Sequence, residues 1–506
     1  MKKQIVKNIS ANFLNLVTSI FIGLLLTPVL VKKLGIEVYG ILPIALFLTF
    51  YMGVIAQSLT ASVNRFLMEK FIADKIDEAN IIFSTSFVLV FIYVLVVGLV
   101  LVFPVTHIGL FLAIPAGHLS EAVDLFLFVL ASFMIAMISS SVSVSMYAKN
   151  RIDLMQLGNI VRNIVKVVLI LAFLHFGFIS LAYVGLSILL SELAYLIYAV
   201  VIWRLLTPEL LLKITLFRKS KIKEITLFSG WILFDQIGTI LFLKTDLILV
   251  NALMGSKANG EYSIATQFSD LLRSMSGLVA SSLGPMMIIF YEQNQSDLLI
   301  SMTIAFVKFL SLTIAVPIIL LCLFSKEILT LWLGEHFVHL APLVCLVTLP
   351  LIINLGTLPI LSINIAIKKI QIPAVINFIL AIIGIGLSLA LYKLTHLGYY
   401  AIAISYLLTL TIKNSIFIPW YAALIMRKPK TIFFRAHFNS IMFSAIFFIL
   451  SYYCKSLFVG YNLNFFVEII ILGFIGMILS LVFYSKTERN IFFNLFKRRV
   501  NNENGS

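Results

Sequence analysis

The sequence contains few charged residues for its length. Asp, Glu, Lys and Arg together make up 12% of the 506 residues, whereas 61% are hydrophobic and the mean hydropathy is +1.09. A soluble domain is about half apolar and about a quarter charged, so this chain has too little polar surface to fold as a soluble globule. A lipid bilayer can solvate such a surface, and the composition predicts an all-α membrane protein that crosses the bilayer many times.

Several kinds of chemistry also lack the residues that they need. The three cysteines, Cys322, Cys345 and Cys454, stand singly in apolar stretches and predict buried thiols without a disulfide framework. The chain has no phosphate-binding loop motif, which excludes ATP hydrolysis, and its seven histidines form no pair with metal-ligand spacing on one helix. We therefore predict no catalytic residue, no metal and no bound cofactor.

Apolar runs of about twenty residues, the length that crosses the hydrocarbon core, recur along the whole chain. The first follows Lys2, Lys3 and Lys7 and lacks a small-residue cleavage site, so it predicts a retained membrane helix rather than a cleaved signal peptide. Fourteen spans are predicted, and this even number places both termini on one side. They lie near 9–31, 38–64, 81–104, 121–147, 157–178, 180–204, 225–253, 260–290, 298–323, 340–366, 371–392, 396–424, 436–458 and 463–485.

Basic residues indicate which side of the membrane is cytoplasmic. About 26 of the 37 Lys and Arg residues fall on the side of the N-terminus and about five on the other, so the positive-inside rule predicts cytoplasmic termini. The net charge of +15 therefore reflects membrane topology, and nucleic acid is not a predicted partner. The longest outside loops, near 105–120 and 325–340, have about sixteen residues each and are too short to form a folded domain.

One short motif occurs twice, 220 residues apart. The shared residues are Gly35, Gly40, Ile44 and Ala45 in the first copy and Gly255, Gly260, Ile264 and Ala265 in the second. We expect these glycines to serve the fold, through positive backbone dihedrals or close helix approach, rather than to touch substrate. The same offset superimposes spans one to six on spans seven to twelve, which predicts two pseudo-symmetric six-helix lobes that run in the same direction, with substrate between them.

Spans thirteen and fourteen lie outside this repeat and complete the predicted domain organisation. The predicted segments are 1–204 for the N-terminal lobe, 205–224 for a cationic cytoplasmic linker, 225–424 for the C-terminal lobe, 425–485 for two extra helices and 486–506 for a basic cytoplasmic tail.

Polar residues form helical stripes in spans one, two, seven and eight, which the repeat relates as pairs. The stripes consist of Asn8, Asn12, Asn15 and Ser19; Gln57, Thr60 and Asn64; Asp235, Thr239 and Asp246; and Ser263, Gln267, Asp270, Ser274, Gly277 and Ser281. Because polar groups in hydrocarbon normally face a bundle interior or a hydrated cavity, these stripes predict one cavity between the halves. The alternative is interhelical packing, in which such residues hold helices together.

Charged residues within or just inside the spans are mainly basic. The cations are Arg65, Arg162, Lys166, Lys244, Arg273, Lys308 and Lys413, and the anions are Glu192, Asp235, Asp246 and Asp270. A cationic excess suits an anionic substrate, and Arg and Lys are natural partners for phosphate oxygens. Arg162 and Lys166 are four residues apart and predict a basic helical face. The four acids are candidates for H⁺ or Na⁺ coupling, or for ion pairs with basic neighbours.

These features resemble the polysaccharide-biosynthesis flippases of the MATE-like (MOP) transporter superfamily, over about the first 430 residues. The matching stretches are the asparagine-rich first span with Leu34-Gly35 and Tyr39-Gly40, the run from Gly53 to Phe66, Lys244-Thr245-Asp246, Gly260-Glu261-Tyr262 and Gly284-Pro285. The resemblance implies two six-helix lobes, alternating access and cationic residues that hold a pyrophosphate, with Arg65, Lys166, Lys244 and Arg273 as the matching positions.

The implied activity is to move undecaprenyl-pyrophosphate-linked oligosaccharide repeats across the bacterial cytoplasmic membrane for O-antigen, capsule or exopolysaccharide. Membrane lipids and the polysaccharide polymerase and chain-length machinery are the implied partners, and no enzymatic activity is expected. The predicted substrate-binding residues are Arg65, Arg162, Lys166, Arg273, Lys244, Asn12, Asn15, Gln57, Asn64 and Gln267. Alternatives are a lipid II flippase, a cation-coupled drug exporter, which predicts an acidic cavity, and an oligosaccharide polymerase or ligase, which needs a larger outside loop.

Overall fold

The computed structural model of the chain describes residues 2–47, 63, 66, 67, 70, 75–367, 369–458 and 464–491. All regular secondary structure in this part of the chain is helical, which confirms the predicted fold class. Twelve helices among the described residues are long and apolar enough to cross a membrane. This set has two members fewer than the fourteen predicted spans. The predicted span 38–64 lies mostly outside the described residues, and predicted spans seven and eight are counted as one helix although a kink at Gly255 separates them.

The chain divides into two compact units, Met1–Ser263 and Ile264–Ser506. The helices that begin in the first unit are α1 Lys2–Leu34, α2 Ile36–Tyr39, α3 Ile76–Thr106, α4 Leu119–Ala148, α5 Ile152–His175, α6 Leu181–Leu206 and α7 Lys219–Glu292, which continues into the second unit. Those of the second unit are α8 Ser296–Leu323, α9 Ser325–Leu333, α10 Ala341–Thr348, α11 Leu351–Gly356, α12 Leu358–Ala366, α13 Gln371–Leu394, α14 Tyr399–Ile412, α15 Ile418–Ile425, α16 Phe434–Phe458 and α17 Phe465–Val482.

The helix ends and outer faces follow from the local sequence. Ser180 caps the start of α6, since its Oγ accepts a hydrogen bond from the Ala182 amide at 3.2 Å. Large apolar side chains remain exposed on the outer faces; Leu99 in α3 is 79% exposed and Val482 at the end of α17 is 70% exposed. Exposed apolar surface of this extent is the expected outer face of a protein surrounded by lipid.

The two copies of the glycine motif adopt the same backbone geometry. Gly35 separates α1 from α2 with φ +82°, and Gly255 breaks α7 with φ +85°, a region that favours glycine because it has no Cβ. Gly40 and Gly260 serve close approach instead. A Cβ on Gly40 would collide with the Ser256 carbonyl oxygen, and a Cβ on Gly260 would lie 2.6 Å from that of Ile36. Both predicted roles of the motif glycines are therefore present.

Hydrogen bonds join the two motif copies at this corner of the first unit. Ser256 Oγ donates to the Glu37 carbonyl oxygen at 2.7 Å, and Asn259 Nδ2 donates to the Gly40 carbonyl oxygen at 2.6 Å. Asn259 and Gly40 are both fully or nearly fully buried, so these bonds satisfy backbone groups that water does not reach.

Two predicted segments have more structure than expected. The predicted outside loop 325–340 is helical, with α9 followed by a 3₁₀ turn over Glu335–Leu340. The predicted span 340–366 consists of three short helices, α10 to α12. Pro350 precedes α11 and Pro359 lies in the first turn of α12, and each proline disfavours a continuous helix because it has no amide hydrogen and restricts the preceding residue.

The predicted linker 205–224 packs against α3 rather than running free. Asn80 Oδ1 accepts a hydrogen bond from the Leu211 amide at 2.8 Å, and Ser84 Oγ accepts one from the Lys213 amide at 3.1 Å. These bonds supply partners for backbone groups that no helix satisfies. The linker therefore holds the first turns of α3 next to the end of α6.

Candidate functional site

A charged cluster lies between α5 and α6 in the first unit. Arg162 Nη1 of α5 lies 3.2 Å from Glu192 Oε2 of α6, and the guanidinium carbon is 5.4 Å from the centroid of the Tyr195 ring. The Glu192 side chain is 9% exposed and that of Arg162 is 31% exposed. The ion pair is thus anchored at a buried carboxylate, while the guanidinium keeps part of its surface accessible.

Lys166 follows Arg162 by one helical turn and adds a second positive charge. It is repelled by Arg162 and attracted by Glu192, and makes no hydrogen bond or ion pair of its own with any described residue. Glu192 Oε1 is buried and has no hydrogen-bond partner in the described part of the chain. With two cations and one anion, this cluster has an unbalanced positive charge inside a predicted span and can bind an anionic group.

Helix packing explains why the cluster forms here. Gly158 of α5 faces the aromatic rings of α6, and a Cβ at this position would lie 2.6 Å from Tyr198 and 2.7 Å from Tyr195. Tyr198 Oη donates to the Leu154 carbonyl oxygen at 2.8 Å. The glycine allows the two helices to approach, and the approach brings Arg162 within reach of Glu192.

The asparagine stripe of α1 makes its hydrogen bonds within the first unit. Asn8 Oδ1 accepts from the Asp153 amide at 3.0 Å, and Asn8 Nδ2 donates to Asn150 Oδ1 at 3.1 Å. Asn15 Nδ2 donates to Gln156 Oε1 at 2.8 Å. These contacts are the interhelical packing that the sequence left open as the alternative to a cavity lining.

Asn12, a further predicted binding residue, bonds within its own helix. Its Nδ2 donates to the Asn8 carbonyl oxygen at 2.9 Å. The side chain is half-buried. Contact of Asn12 or Asn15 with substrate stays a prediction.

Asp246, a predicted coupling residue, connects the two sides of the break in α7. Its Oδ2 accepts from Tyr262 Oη at 2.9 Å, and its Oδ1 accepts from the Leu247 amide at 2.9 Å. Asp246 precedes Gly255 and Tyr262 follows it, so this buried bond fixes the angle at the glycine. The contact gives Asp246 a structural role, and coupling by this residue stays a prediction.

The structure places the other predicted site residues as follows. Lys244 is half-buried in α7 of the first unit. In the second unit Gln267 and Arg273 are half-buried and Asp270 is exposed. The predicted site residues Gln57, Asn64 and Arg65 lie outside the described residues. The backbone of Asp235 lies within the described part of the chain, but its side chain does not.

The second unit carries a polar cluster around a π-helical turn, Lys413–Phe417. Lys413 Nζ donates to Asn377 Oδ1 of α13 at 2.7 Å. Asn414 Nδ2 donates to Asn354 Oδ1 at 3.2 Å, and Thr357 Oγ1 donates to the Asn414 carbonyl oxygen at 3.0 Å. Turns of this type add one residue to a helix and are frequent at functional sites.

A buried ion pair in the second unit escaped the sequence reasoning. Lys308 Nζ of α8 lies 2.8 Å from Glu488 Oε1, and the two side chains are 8% and 9% exposed. The Ser485 amide donates to Glu488 Oε2 at 2.7 Å, and Ser485 Oγ accepts from the Glu488 amide at 3.3 Å. This reciprocal pattern is a capping box, so the Ser-x-x-Glu spacing was an available signal for a helix start near Glu488.

Comparison with solved structures defines the class of protein. The fold is similar to a multidrug-resistance MATE family transporter of the MOP superfamily in an inward-facing conformation, with a TM-score of 0.68 and 13% identity over 84% of this chain and 95% of that one. It is also similar to the lipid II flippase MurJ in an inward closed conformation, with a TM-score of 0.65 and 16% identity over 95% and 98% of the two chains. The protein therefore has a MATE-like fold.

Sequence comparison then defines the family. The family described as "polysaccharide biosynthesis protein" matches residues 5–290, which is more than half of the chain. The chain belongs to this polysaccharide biosynthesis family. It is also 28% identical over 434 residues to "uncharacterized membrane protein EpsK" of Bacillus subtilis (strain 168), covering 85% of each chain. The predicted family and the multi-pass membrane character are confirmed.

Proposed function

We propose that the protein moves an undecaprenyl-pyrophosphate-linked oligosaccharide from the cytoplasmic to the outer face of the bacterial cytoplasmic membrane. The sugar diphosphate headgroup enters by alternating access while the polyprenyl tail stays in lipid. Membership of the polysaccharide biosynthesis family and the many candidate membrane spans support this proposal. The product supplies surface polysaccharide such as O-antigen, capsule or exopolysaccharide.

The observation that carries the proposal is the surplus positive charge between α5 and α6. Bringing a diphosphate into a span is costly unless a cation accompanies it. Arg162 and Lys166 supply that cation, and the guanidinium offers a donor fork that matches phosphate oxygens. Outward movement of negative charge is favoured by the membrane potential at about 2.3 kcal/mol per charge per 100 mV, so about two phosphate charges contribute to the driving force.

The proposed roles follow from the contacts. Arg162 and Lys166 bind the diphosphate, and Glu192 orients Arg162 and returns to pair with it when substrate leaves. A proton or Na⁺ bound at Glu192 is the proposed form of any ion coupling. Further proposed contacts to the diphosphate and sugars are Lys244, Arg273, Gln267, Asn12, Asn15, Arg65, Gln57 and Asn64.

Lipid II transport is the second candidate. The likeness to the lipid II flippase MurJ covers 95% of this chain and 98% of that chain, and both substrates are polyprenyl diphosphates. The two functions differ in the sugar attached and in the polymer that fails when the protein is removed. They are therefore separated by the identity of the accumulated lipid.

The deciding experiment is deletion of the gene, followed by mass spectrometry of lipid-linked sugars and by their sidedness in spheroplasts. We expect an undecaprenyl-linked repeat to accumulate out of reach of outside reagents, with loss of surface polymer. Complementation by the Arg162→Gln, Lys166→Gln double variant should fail, whereas Lys393→Gln, an exposed lysine outside the cluster, should restore export. Accumulated lipid II identifies the second candidate, and an unchanged lipid pool overturns both.

A further inference from the structure

Two of the three cysteines meet in the second unit. Cys322 lies in the last turn of α8 and Cys345 lies in α10, and each is partly buried. Cys345 Sγ donates to the Cys322 carbonyl oxygen at 3.7 Å. The Cys345 thiol therefore contacts the backbone of Cys322, although 22 residues separate the two cysteines in the chain.

The surrounding contacts hold this corner together. Cys322 Sγ lies 3.7 Å from Thr348 Oγ1, and Cys345 Sγ lies 4.0 Å from Ser325 Oγ at the start of α9. Lys455 of α16 also binds the end of α8 and the start of α9. Its Nζ donates to the Leu323 carbonyl oxygen at 2.7 Å and to a carboxylate oxygen of the α9 residue Glu327 at 2.6 Å. The two thiols thus sit where the ends of α8, α9 and α16 are held together by hydrogen bonds.

We propose that Cys322 and Cys345 form a redox-active dithiol that is oxidised to a disulfide on the outer side of the membrane. In the proposed topology α8 ends on that side, where disulfides form and persist. One Cys thiolate attacks a small-molecule or protein disulfide, which forms a mixed disulfide and releases the first thiol of the oxidant. The second Cys thiolate then attacks the mixed disulfide at the protein sulfur and releases the other thiol of the oxidant. One S–S bond forms in the protein and one breaks in the oxidant, which leaves as two thiols after taking up two electrons and two protons.

The disulfide changes the mechanical connection between α8 and α10. In the dithiol form these helices are joined through α9 and the 3₁₀ turn and through side-chain contacts. The disulfide adds a covalent link at the corner and restricts the movement of α10 relative to the end of α8. This inference goes beyond the proposed function and does not depend on the transported substrate.

The test counts thiols in the full-length protein in native membranes before and after treatment with oxidised glutathione. A maleimide–polyethylene glycol reagent, added after denaturation, reports each free thiol as a gel shift. We expect the count to fall from three to one and to return to three with dithiothreitol, and we expect mass spectrometry to find a peptide pair joined through Cys322 and Cys345.

Single serine variants provide the matched controls. Cys454→Ser removes the cysteine outside the pair, so oxidation should take its count from two to zero. Cys322→Ser should keep its two thiols after oxidation. The proposal is overturned if the wild-type count stays at three, if the joined peptides contain Cys454, or if a membrane-impermeant disulfide reagent oxidises the pair only from the cytoplasmic side.

Discussion

The helix pair α5–α6 in the first unit and the pair α13–α14 in the second occupy the same positions in the 220-residue repeat. The first pair places an arginine and a lysine on one helix and their acid, Glu192, on the next. The second pair reverses this arrangement, with Lys413 at the end of α14 and the amide acceptor Asn377 on α13. The repeat therefore preserves the helices but not the charges that they carry.

The backbones of the two pairs differ as well. The π-helical turn Lys413–Phe417 interrupts the second helix of the second pair, whereas α6 runs as a regular helix through the corresponding positions 193–197. A π-turn inserts one extra residue into a helix. The 220-residue repeat thus sets the order and direction of the helices, while individual residues give each unit its own polar groups.

Single-residue deletions in α6 and in the π-helical turn test this difference, and they have the largest expected effect on folding. Deletion of Leu196 rotates the rest of α6 by about 100° and moves Ala199 and Trp203 out of the core. We expect no folded protein. Deletion of Ile416, its repeat partner, removes the extra residue of the π-turn and should leave a folded, less stable protein. Size-exclusion chromatography in detergent measures both, and equal loss in the two variants contradicts the interpretation.

Removal of the acid from the first pair tests whether Glu192 holds the cations together. Glu192→Gln leaves Arg162 and Lys166 to repel each other on one helix face. Because Arg162 is partly exposed, we expect a loss of about 1–3 kcal/mol in the free energy of unfolding, between the values for surface and buried pairs. Thermal unfolding in detergent measures it. Glu335→Gln, an exposed control, should change nothing measurable.

The asparagines of α1 provide a test with an expected effect of intermediate size on the free energy of unfolding. Asn8 is 7% exposed and bonds to groups of another segment, whereas Asn12 bonds only to its own helix backbone among the described residues. Asn8→Ala should cost about 1–3 kcal/mol, because it leaves the buried Asp153 amide without an acceptor. Asn12→Ala should cost about 0.5 kcal/mol or less. Similar losses for the two variants, measured by thermal unfolding, would argue against this account.

The smallest expected effect is the pH dependence of stability that comes from the ion pair of Lys149 with Glu209, at the start of the linker. Burial raises the pKa of Glu209 and is the largest single cause. The hydrogen bond from Lys149 at 2.8 Å, a backbone hydrogen bond and the charge of Lys149 together outweigh burial and place this pKa below its ordinary value. The stabilisation is therefore complete above the unfolded pKa of about 4.3 and is lost as the pH falls through the folded value. Because the carboxylate is 33% exposed, we expect about 0.5 kcal/mol.

The matched variant for this test is Lys149→Met. The unfolding temperature of wild-type protein should fall slightly more than that of the variant when the pH is lowered from 7 to 3, which extends below the unfolded pKa. If the unfolding temperatures of the two proteins fall in parallel as the pH is lowered, the ion pair contributes nothing to stability.

Local patterns predicted the elements well and the contacts poorly. Run length and hydropathy placed the spans, and the spacing of Gly35, Gly40, Gly255 and Gly260 predicted both backbone roles found for them. The same reasoning took Cys322 and Cys345 as isolated and Lys308 as a single cation, because their partners lie far away in the chain. Which side chains meet depends on helix packing, and packing depends on the whole sequence at once.

The sequence by itself determined that this protein is helical, crosses a membrane many times and contains a repeat, because hydropathy, charge placement and motif spacing are local or periodic quantities. Its resemblance to a known family further indicated the polysaccharide biosynthesis family. Only the tertiary structure decided that Arg162 pairs with Glu192, that the α1 asparagines bond to α5 and that the Cys345 thiol contacts the backbone of the distant Cys322. The physical reason is that a membrane helix has many apolar faces of similar energy, so small residues such as Gly158 decide which faces touch.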